Sequence, residues 1–253
     1  MTEQLVLRSV SKHFGGVRAV DDCSFAIPQG SFVGIIGPNG AGKSTLFNLI
    51  SGLARPDGGE ILFRGRNLVG EKPEQIARMG VARTFQTPRA FASLDAMENM
   101  LVADRSSGEH LGKALLGGYG DELRRSLDRC SELLRFVGLE AKASASCDKL
   151  SGGELRMLEV ARQLVRSPEI LLLDEPTAGV SPHLQERLET LLGQIHGQGV
   201  TLVVVEHNLS FLLALAEHVV VMANGSVLTE GIPADVRRDE RVIEAYLGRG
   251  HAA

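Results

Sequence analysis

Gly37-Pro38-Asn39-Gly40-Ala41-Gly42-Lys43-Ser44-Thr45 is the stretch on which the reading of the whole chain turns. It fits a glycine, four residues, then Gly-Lys-Ser/Thr. Glycines let the backbone curl until successive N–H groups point inward at phosphate oxygens, and a helix starting near Lys43 adds the positive end of its dipole. In such a loop the lysine reaches the β- and γ-phosphates of a nucleotide, and the following hydroxyl, here Ser44, sits on Mg²⁺. Ser31–Ile36, just before it, is a short continuous apolar run ending at glycine, which suits a buried strand. Lys43–Ser51, just after it, puts Leu46, Leu49 and Ile50 on one helical face.

Further along, Ile170-Leu171-Leu172-Leu173-Asp174-Glu175 reads as a buried strand with two acids at its carboxyl end, where ligands bind in open α/β sheets. With the phosphate loop upstream, Asp174 is placed to hold the Mg²⁺ shell and Glu175 to polarise an attacking water. A third motif, Leu150-Ser151-Gly152-Gly153-Glu154, opens another helix. By itself Ser151 reads as an ordinary N-cap. Behind a phosphate loop and ahead of Asp174-Glu175 it also reads as a second anion-binding helix start.

The surrounding pattern is α/β. Leu5-Val6-Leu7 and Val20–Ile27, punctuated by Gly15-Gly16 and Pro28-Gln29-Gly30, predict a β-rich opening, and Val81–Phe85 a further strand. From about Thr87 to Leu150 the texture is helical. Asp95–Val102 is one predicted helix and Asp121–Val137 another, with Leu123, Leu127, Cys130, Leu134 and Val137 at helical spacing. Residues 105–120, rich in Gly and Ser, predict a surface loop or short irregular helix. From Ser151 strands and helices alternate: helix Glu154–Arg166 stopping before Pro168, strand Ile170–Leu173, helix Pro182–His196, strand Val200–Val205, helix Leu209–Leu215, strand Val219–Met222. Gly225–Glu230 reads as a hairpin return and Arg241–Leu247 as a last helix. Short apolar strands alternating with helices imply a mainly parallel sheet covered on both faces.

Bulk numbers bound the function. The 253 residues are 43% hydrophobic and 23% charged, enough apolar material for a sizeable core. Lys and Arg number 27 against 31 Asp and Glu, a net charge of −4, so there is no basic field to attract nucleic acid, which is not an expected partner. Cys23, Cys130 and Cys147 are far apart and fit no metal spacing; they read as small buried hydrophobes in a reducing compartment. No run approaches the ~20 apolar residues of a spanning helix, so the expected location is cytoplasmic, with membrane association only through a partner.

In this order the phosphate loop, Ser-Gly-Gly-Glu and Asp-Glu make the sequence resemble the ABC transporter ATPase family, nearly end to end. The resemblance implies one P-loop NTPase cassette over residues 1–253: a core with a mainly parallel sheet and an N-terminal antiparallel β subdomain from 1–86 and 151–253, and an inserted helical subdomain over about 87–150. It implies ATP and Mg²⁺ as ligands, and a head-to-tail dimer in which Ser151, Gly152, Gly153 and Glu154 act on the nucleotide of the opposite subunit. Gln86, in Arg83-Thr84-Phe85-Gln86, matches the glutamine that touches Mg²⁺ or the attacking water and senses the membrane partner. His207, after Val205-Glu206, matches the histidine that contacts the γ-phosphate. Phe14 matches the aromatic that stacks on adenine; read alone it is an ordinary edge-strand hydrophobe. Ser181 departs from the pattern, since many members carry Asp in that loop: it has no acid for the usual contact across the dimer but keeps a hydroxyl that can hydrogen-bond.

Val81–Phe91, the insert at 105–120 and the ending Val242-Ile243-Glu244-Ala245-Tyr246-Leu247-Gly248 resemble the ATPases of bacterial branched-chain (hydrophobic) amino-acid uptake systems, whose relatives also import urea and short amides. That implies permease partners, with Pro88, Arg89 and Phe91 in the groove that receives them. It also implies a second ATPase subunit (self or paralogue), a periplasmic solute-binding protein acting indirectly, and a place on the inner face of a bacterial plasma membrane. The ending is shared in part by the lipopolysaccharide-export ATPase, which is the alternative. A non-transport ABC ATPase would carry a long coiled coil or a second cassette, and a binding-only relative would usually lack Glu175 or His207.

Overall fold

The structure is a computed structural model that describes residues 2–87, 89–104 and 119–247. Pro88, residues 105–118 of the insert and Gly248 lie outside the described residues. Strands β1 (Glu3–Phe14) and β2 (Val17–Pro28) form a hairpin in which Phe14 faces Val17 across Gly15-Gly16. β3 (Phe32–Ile36) leads through the glycine loop into α1 (Lys43–Ile50). β4 (Gly58–Phe63) and β5 (Arg66–Asn67) complete a four-stranded antiparallel sheet in the order β2-β1-β4-β5. After α2 (Pro73–Arg78) comes β6 (Val81–Arg83), and then α3 (Ala96–Ala103), α4 (Tyr119–Phe136) and α5 (Gly152–Leu164). The remainder alternates: β7 (Ile170–Asp174), α6 (Pro182–Gly197), β8 (Thr201–Val205), α7 (Leu209–Leu215), β9 (His218–Ala223), β10 (Ser226–Gly231), α8 (Pro233–Val236) and α9 (Glu240–Leu247).

The second sheet has the order β10-β9-β3-β8-β7-β6 and is parallel except where β10 returns against β9. Every residue of β3, β7 and β8 is buried. Their sequences lack a period of two for that reason, since both sheet faces are covered. The register sets Ile35 opposite Val205 and Val205 opposite Asp174, so these strands finish level with one another. One core joins Leu5, Leu7 and Val10 of β1, the face Leu46, Phe47, Leu49 and Ile50 of α1, and Val33, Ile35, Leu172, Val203 and Val205 of the parallel sheet.

The chain divides into two compact units. One comprises 1–83, 169–176 and 193–253, and holds both sheets; the other comprises 84–168 and 177–192. The insert expected over about 87–150 falls within the second unit, which also takes in α5 and the first part of α6. In that unit α3 begins at an Asp95–Glu98 capping box. The predicted stripe on α4 is buried at Cys130, Leu134 and the following Val137, while Leu123 and Leu127 stay over a third exposed: the buried stripe runs through Ser126 instead and leaves them on its flank. The strand expected over Val81–Phe85 ends at Arg83. β4, β5, α2 and α8 were not expected. Two of them are short helices opened by a proline, and β4 starts on Gly58-Gly59, which reads as a turn. Among the described residues no helix is long and apolar enough to cross a membrane.

Leu172 sits fully buried in the middle of β7. Leu172→Ala should lower unfolding stability by about 2–5 kcal/mol, because the packed surroundings relax only partly around the cavity. Urea unfolding checks this as a lower midpoint at unchanged slope.

Candidate active site

The loop between β3 and α1 is built on glycines that cannot be exchanged. Gly37 and Gly42 have φ of 152° and 98°. A Cβ on Gly37 would lie 2.1 Å from the Met222 carbonyl oxygen, and one on Gly42 would lie 2.2 Å from that of Ala19. Gly42 is also the N-cap of α1 and makes no side-chain cap bond, so the first-turn amides of this helix remain for an anion. Lys43 is buried, and its ammonium donates to the Gly37 carbonyl at 2.7 Å and the Pro38 carbonyl at 3.1 Å. Burial holds its pKa below the ordinary lysine value, opposed by the negative charges of Glu175 and Asp174.

The level strand ends deliver the acids and the histidine to the same place. Glu175 leaves β7 with φ of 48°, while its N–H donates to the Val205 carbonyl of β8 at 2.8 Å. A left-handed backbone costs a non-glycine residue about 1 kcal/mol or more, and such strain gathers where a side chain must be aimed. His207 Nε2 meets Glu175 Oε1 at 2.9 Å, a contact made by the Nε2–H tautomer or the imidazolium. The buried Glu206 carboxylate accepts the N–H groups of His207 and Asn208, and Asn208 caps α7, which fixes the turn that presents the imidazole. Asn39–Thr45, Glu175, His207, Val17 and Ala19 line one pocket of about 350 Å³. Phe14 is not in its lining. The ring stands 54% exposed at the neighbouring hairpin, with Lys12 Nζ 5.4 Å from its centroid.

Asp174 is buried, and its Oδ2 accepts from Arg83 Nη2 at 3.1 Å. Burial pushes its carboxyl above the ordinary aspartate value, and Arg83 opposes that shift. Arg83 also donates to the Asn48 and Ser51 side chains of the α1 segment, tying the phosphate-loop helix to the acid strand. The sequence reading missed Arg83; a lone arginine closing a short strand carries no signal of its own. Among the described residues no three His, Cys, Asp or Glu side chains gather to hold a metal. The oxygen donors Ser44 and Asp174 suit Mg²⁺, which binds through one or two protein oxygens together with phosphate oxygens and water.

Gln86 and the Ser-Gly-Gly-Glu turn belong to the second unit. Ser151 is the N-cap of α5: its hydroxyl accepts the Glu154 N–H at 3.3 Å, and the Glu154 carboxylate accepts the Ser151 N–H at 2.9 Å. The cap expected of Ser151 is therefore present. Lys142, 2.6 Å away, is the main reason the Glu154 carboxyl lies below its ordinary pKa. Gly152 is exposed. Gly153 is buried, and a Cβ there would lie 2.3 Å from Leu184 Cδ1. The Gln86 backbone is held to α5 by Arg156, a second residue the sequence reading missed. Ser181 accepts the Leu184 and Gln185 N–H groups through its carbonyl at the start of α6.

The family profile described as ABC transporter matches residues 20–178, and that described as branched-chain amino acid ATP-binding cassette transporter matches 226–252. The chain is 35% identical over 244 residues to a probable branched-chain amino acid transport ATP-binding protein, LivG, of Archaeoglobus fulgidus, covering 96% of this chain and 95% of that protein. It is 37% identical to the high-affinity LivG of Salmonella typhimurium, with 96% and 97% covered. Among solved structures, the ADP conformation of MJ1267, an ATP-binding cassette of an ABC transporter, superposes with a TM-score of 0.86 at 31% identity, over 98% of this chain and all of that one. A dimeric cassette bound to ADP and phosphate, MJ0796, superposes at 0.78 with 26% identity, over 90% of this chain and 98% of that one.

Gly42→Ala forces a Cβ against the Ala19 carbonyl in a backbone region that L-residues avoid. It should weaken binding of a fluorescent adenine nucleotide by about tenfold or more, the equivalent of ~1.4 kcal/mol. Equilibrium titration measures this, and wild-type affinity in the variant would remove the loop from the site.

Proposed function

The chain belongs to the ABC transporter family of ATP-binding cassettes, and from that premise we propose that it is the ATP-hydrolysing subunit that powers import of a branched-chain or other hydrophobic amino acid, or a related small solute, through partner permeases. The observation that carries the reading is one pocket in which the lysine loop, Glu175 and His207 meet. Identity of 35–37% along nearly the whole chain to branched-chain amino acid transport ATP-binding proteins supports the solute class. The profile matched at 226–252, described as branched-chain amino acid ATP-binding cassette transporter, supports the same class, and the wording Arg83-Thr84-Phe85-Gln86, which the lipopolysaccharide-export ATPase usually lacks, favours import over that alternative.

In this reading Gly37–Thr45 wraps the phosphates, Lys43 exchanges its loop carbonyls for phosphate oxygens, and Phe14 stacks on the base. Ser44 and Asp174 hold Mg²⁺, which, when bound, neutralises charge on the β- and γ-phosphates. Glu175 accepts the proton of the attacking water as general base, and His207, held at 2.9 Å by that same carboxylate, contacts the γ-phosphate. Gln86 has the role implied by the family likeness, contact with the metal or the attacking water. Ser151, Gly152, Gly153 and Glu154 serve the nucleotide of a second ATPase subunit, either another copy or a paralogue. In-line attack of this kind is catalysed mainly by positioning and electrostatics. A periplasmic solute-binding protein and attachment to the inner membrane face through the permeases complete the proposed assembly. The single cassette keeps its helical subdomain, about 87–150, as an insert.

Glu175→Gln removes the base and keeps the shape. It should bind ATP·Mg with little change, hydrolyse it at least about 100-fold more slowly, and run as an ATP-dependent dimer on size exclusion. A variant that turns over freely as a monomer would refute both the base and the shared site.

A further inference from the structure

One ion pair on α5 brackets the peptide unit joining Phe85 to Gln86. Arg156 Nη1 donates to the Phe85 carbonyl and Nη2 to the Gln86 carbonyl, each at 2.6 Å. Glu159 Oε1 accepts the Phe85 N–H at 2.8 Å, and Oε2 accepts Arg156 Nη1 at 2.8 Å. Both side chains are almost wholly buried, 2% and 3% exposed. Arg156 is the bulkiest of the fully buried side chains among the described residues. Further along the same helix, Arg162 donates to the Arg89 carbonyl and lies against the Phe91 ring.

Burying two charges is costly, and apolar residues of similar volume commonly serve stability as well or better. What apolar residues cannot do is grip a peptide unit. A planar guanidinium spans two successive carbonyls, and the carboxylate one helical turn on takes the Phe85 N–H beside them, so the pair holds three successive peptide units from Thr84 to Thr87. The helix that does this begins at Ser151, the cap of the Ser-Gly-Gly-Glu turn. The Gln86 backbone and that turn are thereby joined through one helix within a single unit.

We propose that Arg156 and Glu159 are positioning residues for hydrolysis, holding Gln86 in fixed register with the Ser151 turn. The inference rests on the ATPase reading given above. Two sets of variants separate it from a merely structural role. Arg156→Lys keeps the charge and loses the fork, and the double change Arg156→Met with Glu159→Leu keeps the volume and removes both charges of the pair.

The measurements are thermal midpoint, equilibrium ATP affinity, kcat, and the Mg²⁺ concentration for half-maximal rate, on the chain purified with its permeases. Both variants should melt as cooperatively as wild type and bind ATP within about twofold, because the lysine loop is untouched. Their kcat should fall by about tenfold or more, as small misplacements at a reacting centre do, with a higher Mg²⁺ requirement. Wild-type kcat and Mg²⁺ dependence in a folded variant would overturn the proposal. Parallel loss of ATP affinity, kcat and thermal midpoint in both variants would also overturn it, by reducing the pair to a fold element. Absence of ATPase activity in the wild-type assembly would overturn the functional reading itself, and the inference with it.

Discussion

The parallel register of β3, β8 and β7 is the constraint on which the site depends. With Ile35, Val205 and Asp174 level across three fully buried strands, the residues after each strand must emerge on one edge of the sheet. Those residues are the glycine loop after β3, Glu206-His207 after β8 and Glu175 after β7. A slip of the ladder would turn every side chain of a strand to the opposite face, and would part Glu175 from His207 as well. The hydrogen bond from the Glu175 N–H to the Val205 carbonyl extends the ladder one residue beyond the strand and locks the strained turn in place. Packing of Val33, Ile35, Leu172, Val203 and Val205 into one core is what holds that register.

Charge is then buried where the register permits it. Lys43 and Asp174 both lose solvation, which pulls the lysine pKa down and pushes the aspartate pKa up, so each charge needs local partners. Lys43 finds them in its own loop. Asp174 finds Arg83, whose guanidinium reaches the acid strand and the side chains of Asn48 and Ser51 at once. Arg83 therefore works as a joint between the helix that opens at the glycine loop and the strand that carries Asp174. Replacing one member of such a set leaves the others buried and uncompensated, which couples the stability of the core to the integrity of the site.

The parts that sequence made legible are those with a local physical signature. Glycines at forced left-handed positions, a lysine after them, apolar runs too uniform for one-sided strands, and paired acids at a strand end each announce a backbone requirement. Phosphate loop, acid pair and parallel core were readable for that reason, and the alternation after Ser151 gave the strand–helix order within a residue or two. Long-range side-chain bonds announce nothing. Arg83, Arg156 and Glu159 look like ordinary surface charges in the sequence, and only the fold shows that Arg156 and Glu159 are buried and the Arg83 side chain largely covered. β5, two residues long, carries no period to detect. Leu123 and Leu127 match the helical spacing of α4, yet spacing alone does not say where on the helix the core stripe lies, and the burial of Ser126 shows it runs elsewhere.

The helix starts at α1 and α5 are closed differently, and the difference has a physical meaning. At α1 the N-cap is a glycine with no side-chain bond, and the lysine is satisfied by neutral carbonyls. At α5 the serine is closed into a capping box by Glu154, itself paired with Lys142. Phosphate arriving at α1 would replace the contacts of the Lys43 ammonium to neutral carbonyls with contacts to an anion, and would meet amides already open to it. Phosphate arriving at α5 meets a hydroxyl already bonded to a carboxylate, and a negative charge beside it. Under the proposed function the α1 start would meet nucleotide with open amides, whereas the α5 start would engage it once the Ser151 hydroxyl turned away from the Glu154 carboxylate.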